Sequence, residues 1–464
     1  MDAPFRPDTI VAISTPPGRG GIGILRLSGP EAVVVAGRLV SAVEWEHGRA
    51  RFVRILDPEA AGGTIDEAVV TAFLGPHSYT GEDVAEIAAH GSPVVLEALV
   101  RRALGVGAEL GLAVRLAEPG EFTQRAFLAG RLDLTQAEAV RDLIAARTLD
   151  QARVAAQQMG GAISRRVAPA KEALLHLVAL LEAGMDFASG ELDDVDVVPP
   201  EEIARAIAGV LGPLEALAAS FRRGQMVRNG VSLALAGPPN AGKSSLFNRL
   251  LDRERAIVTA VPGTTRDTIE ESVAVGGIPV RLVDTAGLRD LGGSPGGDEA
   301  EALGIARSRE ALADADAVLL VHDATQPMTG EELKLAESLA GRPHLVVHNK
   351  ADLLGLERAD GDMIFTSAVT GEGIEALRAG ILRVLQAEGA VGDGGALNNL
   401  RQQEAVDSAL VALRAAAAAN EAGLPHEVLL MDLHGALRGL DSLTGTTTAE
   451  DILARIFSTF CIGK

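Results

Sequence analysis

The sequence holds one cysteine in 464 residues, so no disulfide can form within the chain, which fits a reducing compartment. Aromatic residues are scarce, 3% with one Trp and one Tyr, too few for a platform on which bases stack. Positive charge is in deficit: 42 Lys and Arg stand against 63 Asp and Glu, a net charge of −21. A chain of that sign does not coat itself in nucleic acid through bulk electrostatics. RNA contact would need local basic spots such as Arg222, Arg223 and Arg228, or a partner; the competing reading of those arginines is a solvated surface. No apolar run is expected to reach the length of a membrane helix. The opening MDAPFRPDTIVAIST lacks the basic-then-apolar order of a signal peptide. These absences lead us to expect a cytoplasmic chain with no membrane association.

What is present is ordinary globular material, 47% hydrophobic and 23% charged. A length of 464 residues exceeds one typical core and suggests about three domains. Residues 1 to about 120 mix β-like runs, TIVAIST, GIGILRLSG and EAVVTAFL, with helical stretches. Ser92-Pro93 ahead of VVLEALVRRAL reads as an N-cap followed by Pro at the first helical position. From 121 to 221 the periodicity is helical. Thr135 to Glu138 has capping-box spacing, and the acidic, Pro-containing GELDDVDVVPPEEI separates two helices. Residues 385–464 are helical again, with the same spacing at Thr447 to Glu450. Between these halves, residues 222–384 alternate helices with the β runs VSLALAG, AIVTA, IPVRLVDT, AVLLVHD, HLVVHNK and MIFTS. That alternation argues for a mostly parallel sheet wrapped by helices. The expected architecture is an α/β domain inserted in an all-α helical domain and preceded by an α+β domain.

The chemistry concentrates in the α/β part. LALAG, then GPPNAGKS, then SLFNRLL is strand, loop, helix, the context that gives the GxxxxGK[ST] pattern meaning. The loop residues Asn240, Ala241, Gly242, Lys243, Ser244 and Ser245 would cradle phosphates on backbone N–H groups at a helix start. Lys243 is placed to bridge the β and γ phosphates and Ser244 to offer its hydroxyl to Mg²⁺. IPVRLVDTAG ends a strand in Asp284, placed for Mg²⁺ or its water, and Thr285, Ala286 and Gly287 follow, Gly287 offering an N–H to the γ-phosphate. Thr265, in GTTRD, stands where a loop closes on Mg²⁺ when that phosphate is present. HLVVHNKAD supplies Asn349, Lys350, Ala351 and Asp352. The carboxylate there accepts from guanine N1–H and the 2-amino group, which adenine lacks, while Lys350 lays its stem along the base. Ser367, Ala368 and Val369 after MIFT are placed for a backbone contact to guanine O6. The motifs in this order specify GTP. Leu288 follows Gly287 where Ras-like enzymes keep a water-orienting glutamine, and leucine makes no hydrogen bond to water.

With these motifs in view, the chain resembles the tRNA modification GTPase family called MnmE or TrmE over essentially its whole length. The resemblance rests on TPPGRGGIGILRLSG (15–29), SYTGEDVAEIAAHG (78–91), PGEFTQRAFLAGRLDLTQAEAV (119–140), the nucleotide motifs and the tail IFSTFCIGK. It implies a homodimer whose GTPase domains pair in a K⁺-dependent way. Asn240 matches the asparagine that coordinates K⁺. Thr259, Val261 and Thr264 complete that site within a loop that also holds Ala260, Pro262, Gly263 and Thr265 against the nucleotide. A cation there does what an arginine finger does. A glutamate after the DTAG motif positions the water indirectly. It matches Glu301, with Glu299 open because GGSPGGDEA looks longer than usual.

The N-terminal part resembles the family's tetrahydrofolate-binding, dimer-forming domain (residues 1–120). Arg26, Glu86 and Lys464 match folate contacts, and Arg131 stands where the family commonly has lysine. The folate would be a 5,10-methylene or 5-formyl form. Cys461 reads either as a small buried apolar residue or as a catalytic thiol near the one-carbon chemistry. The remaining parts would be a helical domain (121–221 with 385–464) and the GTPase domain (222–384).

The resemblance implies that GTP hydrolysis works with an FAD-dependent partner, MnmG (GidA), in a heterotetramer. Together they place an aminomethyl or carboxymethylaminomethyl group on C5 of the wobble uridine of certain tRNAs. A regulatory GTPase switch in ribosome assembly is the alternative, and it needs no folate pocket.

Overall fold

A computed structural model describes residues 8–57, 63–188, 198–251, 271–284, 312–354, 363–385, 394–446, 453 and 456–463, the side chains of 185–188, 271, 272 and 284 excepted. By its contacts the chain divides into two compact units, residues 1–141 with 441–464, and residues 142–440.

The first unit is built on a six-stranded sheet. Its strands are β1 (Thr9–Ile13), β2 (Gly20–Ser28), β3 (Arg51–Leu56), β4 (Thr64–Phe73), β5 (Val84–Gly91) and β6 (Val114–Leu116), in the order β3-β4-β5-β2-β1-β6. Neighbours are antiparallel except β1 and β6. TIVAI is nearly all apolar and lies buried inside the sheet, as a short continuous apolar run predicts. Helices Ala32–Leu39 and Pro93–Leu110 lay Val35, Leu39, Leu99 and Val106 over Leu25, Leu27, Val70 and Ile87. Pro93 occupies the first helical turn as expected, but the Ser92 side chain makes no capping bond.

The capping box expected at Thr135 and Glu138 lies elsewhere. Helix Leu134–Ala145 starts one residue ahead of Thr135. Asp133 Oδ1 accepts from the Gln136 N–H at 2.9 Å, and Gln136 Oε1 accepts from the Asp133 N–H at 2.9 Å. The reciprocal pair is therefore Asp133 with Gln136, two residues earlier, because Asp is as good a cap as Thr. Thr447 and Glu450 lie outside the described residues. The tail returns to this unit: Phe457 and Phe460 pack with Leu134 and Val140. Gly120 (φ 70°) faces them so closely that a Cβ would lie 2.6 Å from the Phe457 carbonyl oxygen.

The second unit carries the α/β sheet between helical segments, the insertion expected from the sequence. Its strands are β7 (Val231–Ala236), β8 (Glu271–Val275), β9 (Ile278–Asp284), β10 (Ala317–Asp323), β11 (His344–Asn349) and β12 (Ile364–Phe365), ordered β12-β11-β10-β7-β9-β8. All neighbours are parallel except β8 with β9. β7 (VSLALA) is buried along its whole length and β10 (AVLLVHD) up to its last residue, mostly with Val, Leu and Ala on both faces, as parallel strands covered on both sides require. The run AIVTA lies outside the described residues.

One expectation fails here. The helical stretch Pro200–Asn229 is long and apolar enough to cross a membrane by length and composition. It nevertheless buries Ile203, Ile207, Val210, Leu214 and Leu217 along one stripe, the spacing of a bundle helix. A polar junction sits where this segment feeds β7. Gln151 Nε2 donates to the carbonyls of Val227 and Arg228 at 3.0 and 2.9 Å, and Arg228 pairs with Asp142 at 2.8 Å. Arg228 is thus held between helices rather than presented as a basic surface spot.

Candidate functional site

The phosphate loop leaves β7 at Ala236 and enters helix Lys243–Leu251. Gly237 (φ 140°) passes so close to β10 that a Cβ would lie 2.2 Å from the Val321 carbonyl oxygen. Two non-glycine residues among those described have left-handed backbones, Asn240 (φ 63°) and Lys350 (φ 66°). Both sit in turns the sequence assigned to the nucleotide, and backbone strain of this kind collects at functional sites. Asn240 is exposed, and its amide makes no hydrogen bond to another described residue. Lys243 is buried, with Nζ donating to the carbonyls of Gly237 and Pro238 at 3.0 and 2.7 Å. Ala241 is buried, and Ser244 and Ser245 are exposed in the first turn of the helix.

The base-side motifs meet this loop through Asn349. Its Nδ2 donates to the Ala241 carbonyl at 3.0 Å, and its Oδ1 accepts from the Ala368 N–H at 3.3 Å. A Cβ on Gly242 would come within 2.3 Å of that Nδ2, so glycine is required there. Ala351 N–H donates to the Thr366 carbonyl at 2.9 Å, which joins the Asn349–Asp352 turn to the Ser367–Val369 loop. Ser367 is buried; its N–H donates to the Glu372 carbonyl at 2.9 Å. Asp352 is exposed, and its carboxylate has no partner among the described residues. An uncommitted carboxylate beside a backbone amide loop offers acceptors and donors that match the edge of guanine.

Two residues that sequence reasoning passed over complete this side. Asp323 ends β10 and accepts from Lys350 Nζ at 2.5 Å. Burial works to raise its pKa, but the Lys350 ammonium and Thr325 reverse this and hold it at about 2. A carboxylate closing a parallel strand at the open end of the sheet was the available signal. Arg249, in the last turn of the phosphate-loop helix, donates from Nε to the Ala368 carbonyl at 2.7 Å.

Other expected residues lie outside the described ones: Thr259, Ala260, Val261, Pro262, Gly263, Thr264, Thr265, Thr285, Ala286, Gly287, Leu288, Glu299, Glu301 and Lys464. For Asp284 the backbone alone is described. It closes β9 in register with Leu235 of β7, one strand from the phosphate loop.

In the first unit, Arg26 and Glu86 face each other across β2 and β5, with Arg26 Nε donating to Glu86 Oε1 at 2.8 Å. Arg26 Nη1 donates to the carbonyl of Gly463 at 3.3 Å, and its guanidinium stands 5.7 Å from the Phe122 ring centroid. Tyr79 donates to or accepts from Thr123 at 2.9 Å; burial raises its pKa against the pull of that bond and of Arg26. Arg131 is exposed, with its stem near Gly81. Cys461 is exposed, so the reading of a small buried apolar residue does not hold; its carbonyl accepts from the Gly120 N–H at 3.4 Å.

Comparison with known proteins decides the family. Residues 134–461 match the MnmE helical domain, and residues 9–131 match the N-terminus of the GTP-binding protein TrmE. The tRNA modification GTPase MnmE of Koribacter versatilis is 54% identical over 98% of this chain and 99% of that one. The chain belongs to the MnmE family. The MnmE of Symbiobacterium thermophilum is 44% identical, again over 98% of this chain and 99% of its own. The G domain of the T. maritima FeoB iron transporter is 30% identical and covers 33% of this chain and 98% of that one, with a TM-score of 0.24, too low to bear on the fold. As an MnmE-family member with an intact phosphate loop, the protein is a GTP hydrolase. The family contains both units, so the Arg26–Glu86 pair and the nucleotide loops belong to one enzyme.

Proposed function

We propose that the protein hydrolyses GTP in a K⁺-dependent way and couples that cycle to modification of tRNA. The product is an aminomethyl or carboxymethylaminomethyl group on C5 of the wobble uridine, made with an FAD-dependent partner of the MnmG type in a heterotetramer. The cytoplasm is the proposed location and a homodimer the proposed core. Its working parts are residues 1–120, the helical residues 121–221 with 385–464, and the GTPase residues 222–384. The name its relatives share, tRNA modification GTPase, supports tRNA as substrate.

The chain's own residues account for the nucleotide steps. Helix-start N–H groups and Lys243 bind the phosphates, exchanging neutral loop carbonyls for charged oxygens. Ser244 and Thr265 would hold Mg²⁺, and exposure of Ser244 fits that role. Asn240 fits a cation ligand because its amide is exposed and uncommitted to described residues. With Thr259, Val261 and Thr264 it would hold K⁺, which when bound supplies positive charge where the phosphates gain negative charge. Glu301, or Glu299, would orient the water that Leu288 cannot. Asp352 and the Ser367–Val369 amides select guanine.

Arg26, Glu86, Arg131 and Lys464 would hold a tetrahydrofolate derivative, the 5,10-methylene or 5-formyl form, which when bound supplies the one-carbon unit. Cys461 is proposed as a thiol beside that site. The observation that carries this reading over a ribosome-assembly switch is the seal on the Arg26–Glu86 pair: the Gly463 carbonyl meets Arg26 437 residues away in sequence. A switch needs no folate pocket, and this pair lies among the residues that the family resemblance matches to folate contacts. The test is calorimetric titration with 5-formyltetrahydrofolate, for the intact protein and for Arg26→Ala. Binding lost in the variant supports the enzyme; no binding by the intact protein favours the switch.

A further inference from the structure

Arg249 joins two parts of the nucleotide site without belonging to either motif. It rises from the last turn of helix Lys243–Leu251, half-buried. Its Nε donates to the Ala368 carbonyl at 2.7 Å, and its Nη2 donates to the Val369 carbonyl. A guanidinium holds its donors in a rigid planar fork, so two successive carbonyls are fixed in one orientation. In a trans peptide the C=O and the following N–H point to opposite sides. Holding the Ala368 carbonyl therefore turns the Val369 N–H away from the arginine, and that N–H makes no hydrogen bond to a described residue. Holding the Val369 carbonyl turns the next N–H, of Thr370, onto Ser367 Oγ at 3.1 Å, which closes the loop. The Ala368 N–H makes a long bond to Asn349 Oδ1, at 3.3 Å.

We propose that Arg249 is a positioning residue for recognition of the 6-oxo group of the purine. This rests on the guanine-site reading given above. Arg249 acts through the amides of the Ser367–Val369 loop, which it aims. A 6-oxo group, in guanine or hypoxanthine, accepts from those amides. The 6-amino group of adenine presents a donor to them and leaves them unpaired. Asp352 reads the other edge, N1–H and the 2-amino group. The site thus separates two chemical questions: Arg249 governs selectivity at position 6, and Asp352 governs it at position 2.

The experiment is displacement of a fluorescent GDP analogue from the full-length protein by GDP, IDP, XDP and ADP, with Mg²⁺ present. Wild type, Arg249→Ala, Arg249→Lys and Asp352→Asn are compared. Arg249→Ala should weaken GDP and IDP alike by roughly tenfold, the scale of one hydrogen bond, and leave ADP unchanged. Its KM for GTP should rise by the same factor with kcat unchanged. Arg249→Lys, which reaches one carbonyl, should fall between the two. Equal weakening of GDP and ADP, or no weakening at all, would overturn the proposal and leave a plain structural brace. If Arg249→Ala does not fold, Arg249→Met keeps the stem and carries the same expectation. The guanine-site reading stands or falls separately: it fails if Asp352→Asn still prefers GDP to XDP.

Discussion

Asn349 donates from Nδ2 to the carbonyl oxygen of Ala241 at 3.0 Å, across 108 residues of chain, and so ties the Asn349–Asp352 turn to the phosphate loop. The bond is buried, and the other end of the same amide accepts from Thr366 and Ala368. The asparagine of this motif is therefore a clamp between loops.

Removing the clamp leaves buried polar groups without partners. Asn349→Ala should destabilise the α/β part by ~1–3 kcal/mol and weaken GDP binding by at least tenfold. Urea unfolding and nucleotide displacement check both. Unchanged nucleotide affinity would mean the two loops hold their places without it.

Asp352 stands exposed with no partner among the described residues. Asp352→Asn should therefore cost little stability, within about 0.5 kcal/mol. It should move preference from GTP to xanthosine triphosphate, because the new amide donates to the 2-oxo group where the carboxylate had accepted from the 2-amino group. Turnover measured with both nucleotides checks this.

Gly463 adopts φ 93°, and a Cβ there would lie 2.6 Å from the Ile13 carbonyl oxygen. Gly463→Ala should push the tail off β1 and remove the carbonyl that accepts from Arg26. Binding of 5-formyltetrahydrofolate should then weaken while GTP turnover by the intact protein stays within twofold. Loss of GTP turnover in this variant would contradict the assignment of the tail to the N-terminal site.

A buried ionic frame in the first unit predicts a pH dependence. Glu121 accepts from Arg115 at 2.5 Å and from Arg125 at 2.9 Å, and Asp8 pairs with the same two arginines at 2.7 Å each. Burial pushes both carboxyls up, yet the arginines bring both below their usual values. A carboxyl with a depressed folded pKa stabilises above its unfolded pKa of about 4. That contribution disappears as pH falls through the lower folded value. The first unit should thus keep its full stability at pH 5 to 7 and lose it progressively below about pH 4. Glu121→Gln should cost ~3 kcal/mol at neutral pH and make the acid loss shallower. Thermal denaturation followed across pH checks this.

The sequence was most legible where a physical pattern is dense. Short apolar-rich runs (VSLALA, IPVRLVD, AVLLVHD and HLVVHN) marked β7, β9, β10 and β11, and alternation of strand and helix marked the parallel sheet. It was less legible in β5, whose VAEIAAHG is rich in Ala and has no clear period, and in β6, three residues long. The helix start at Leu134 was misplaced by two residues because Asp133 and Thr135 offer the same capping chemistry at the same spacing. In the candidate nucleotide site the motif turns stood out by their spacing, and Asn349 meets the phosphate loop. Arg249 was not legible, since it acts through two long-range contacts that no local pattern encodes, and Asp323 offered only its place at the end of an apolar strand. The amide of Asn240 was recognisable by its place in the loop, and its left-handed backbone adds a reason for asparagine, which tolerates that conformation.

A monovalent cation held at Asn240 is proposed to supply the charge that an arginine finger would, while Glu301 or Glu299 orients the water in place of the absent glutamine. The most direct measurement is steady-state GTP turnover in KCl and in NaCl at equal ionic strength, for wild type and Asn240→Ala. Wild type should turn over GTP at least about tenfold faster in KCl, and Asn240→Ala should show no difference between the salts. Equal turnover of the wild type in both salts would contradict that proposal.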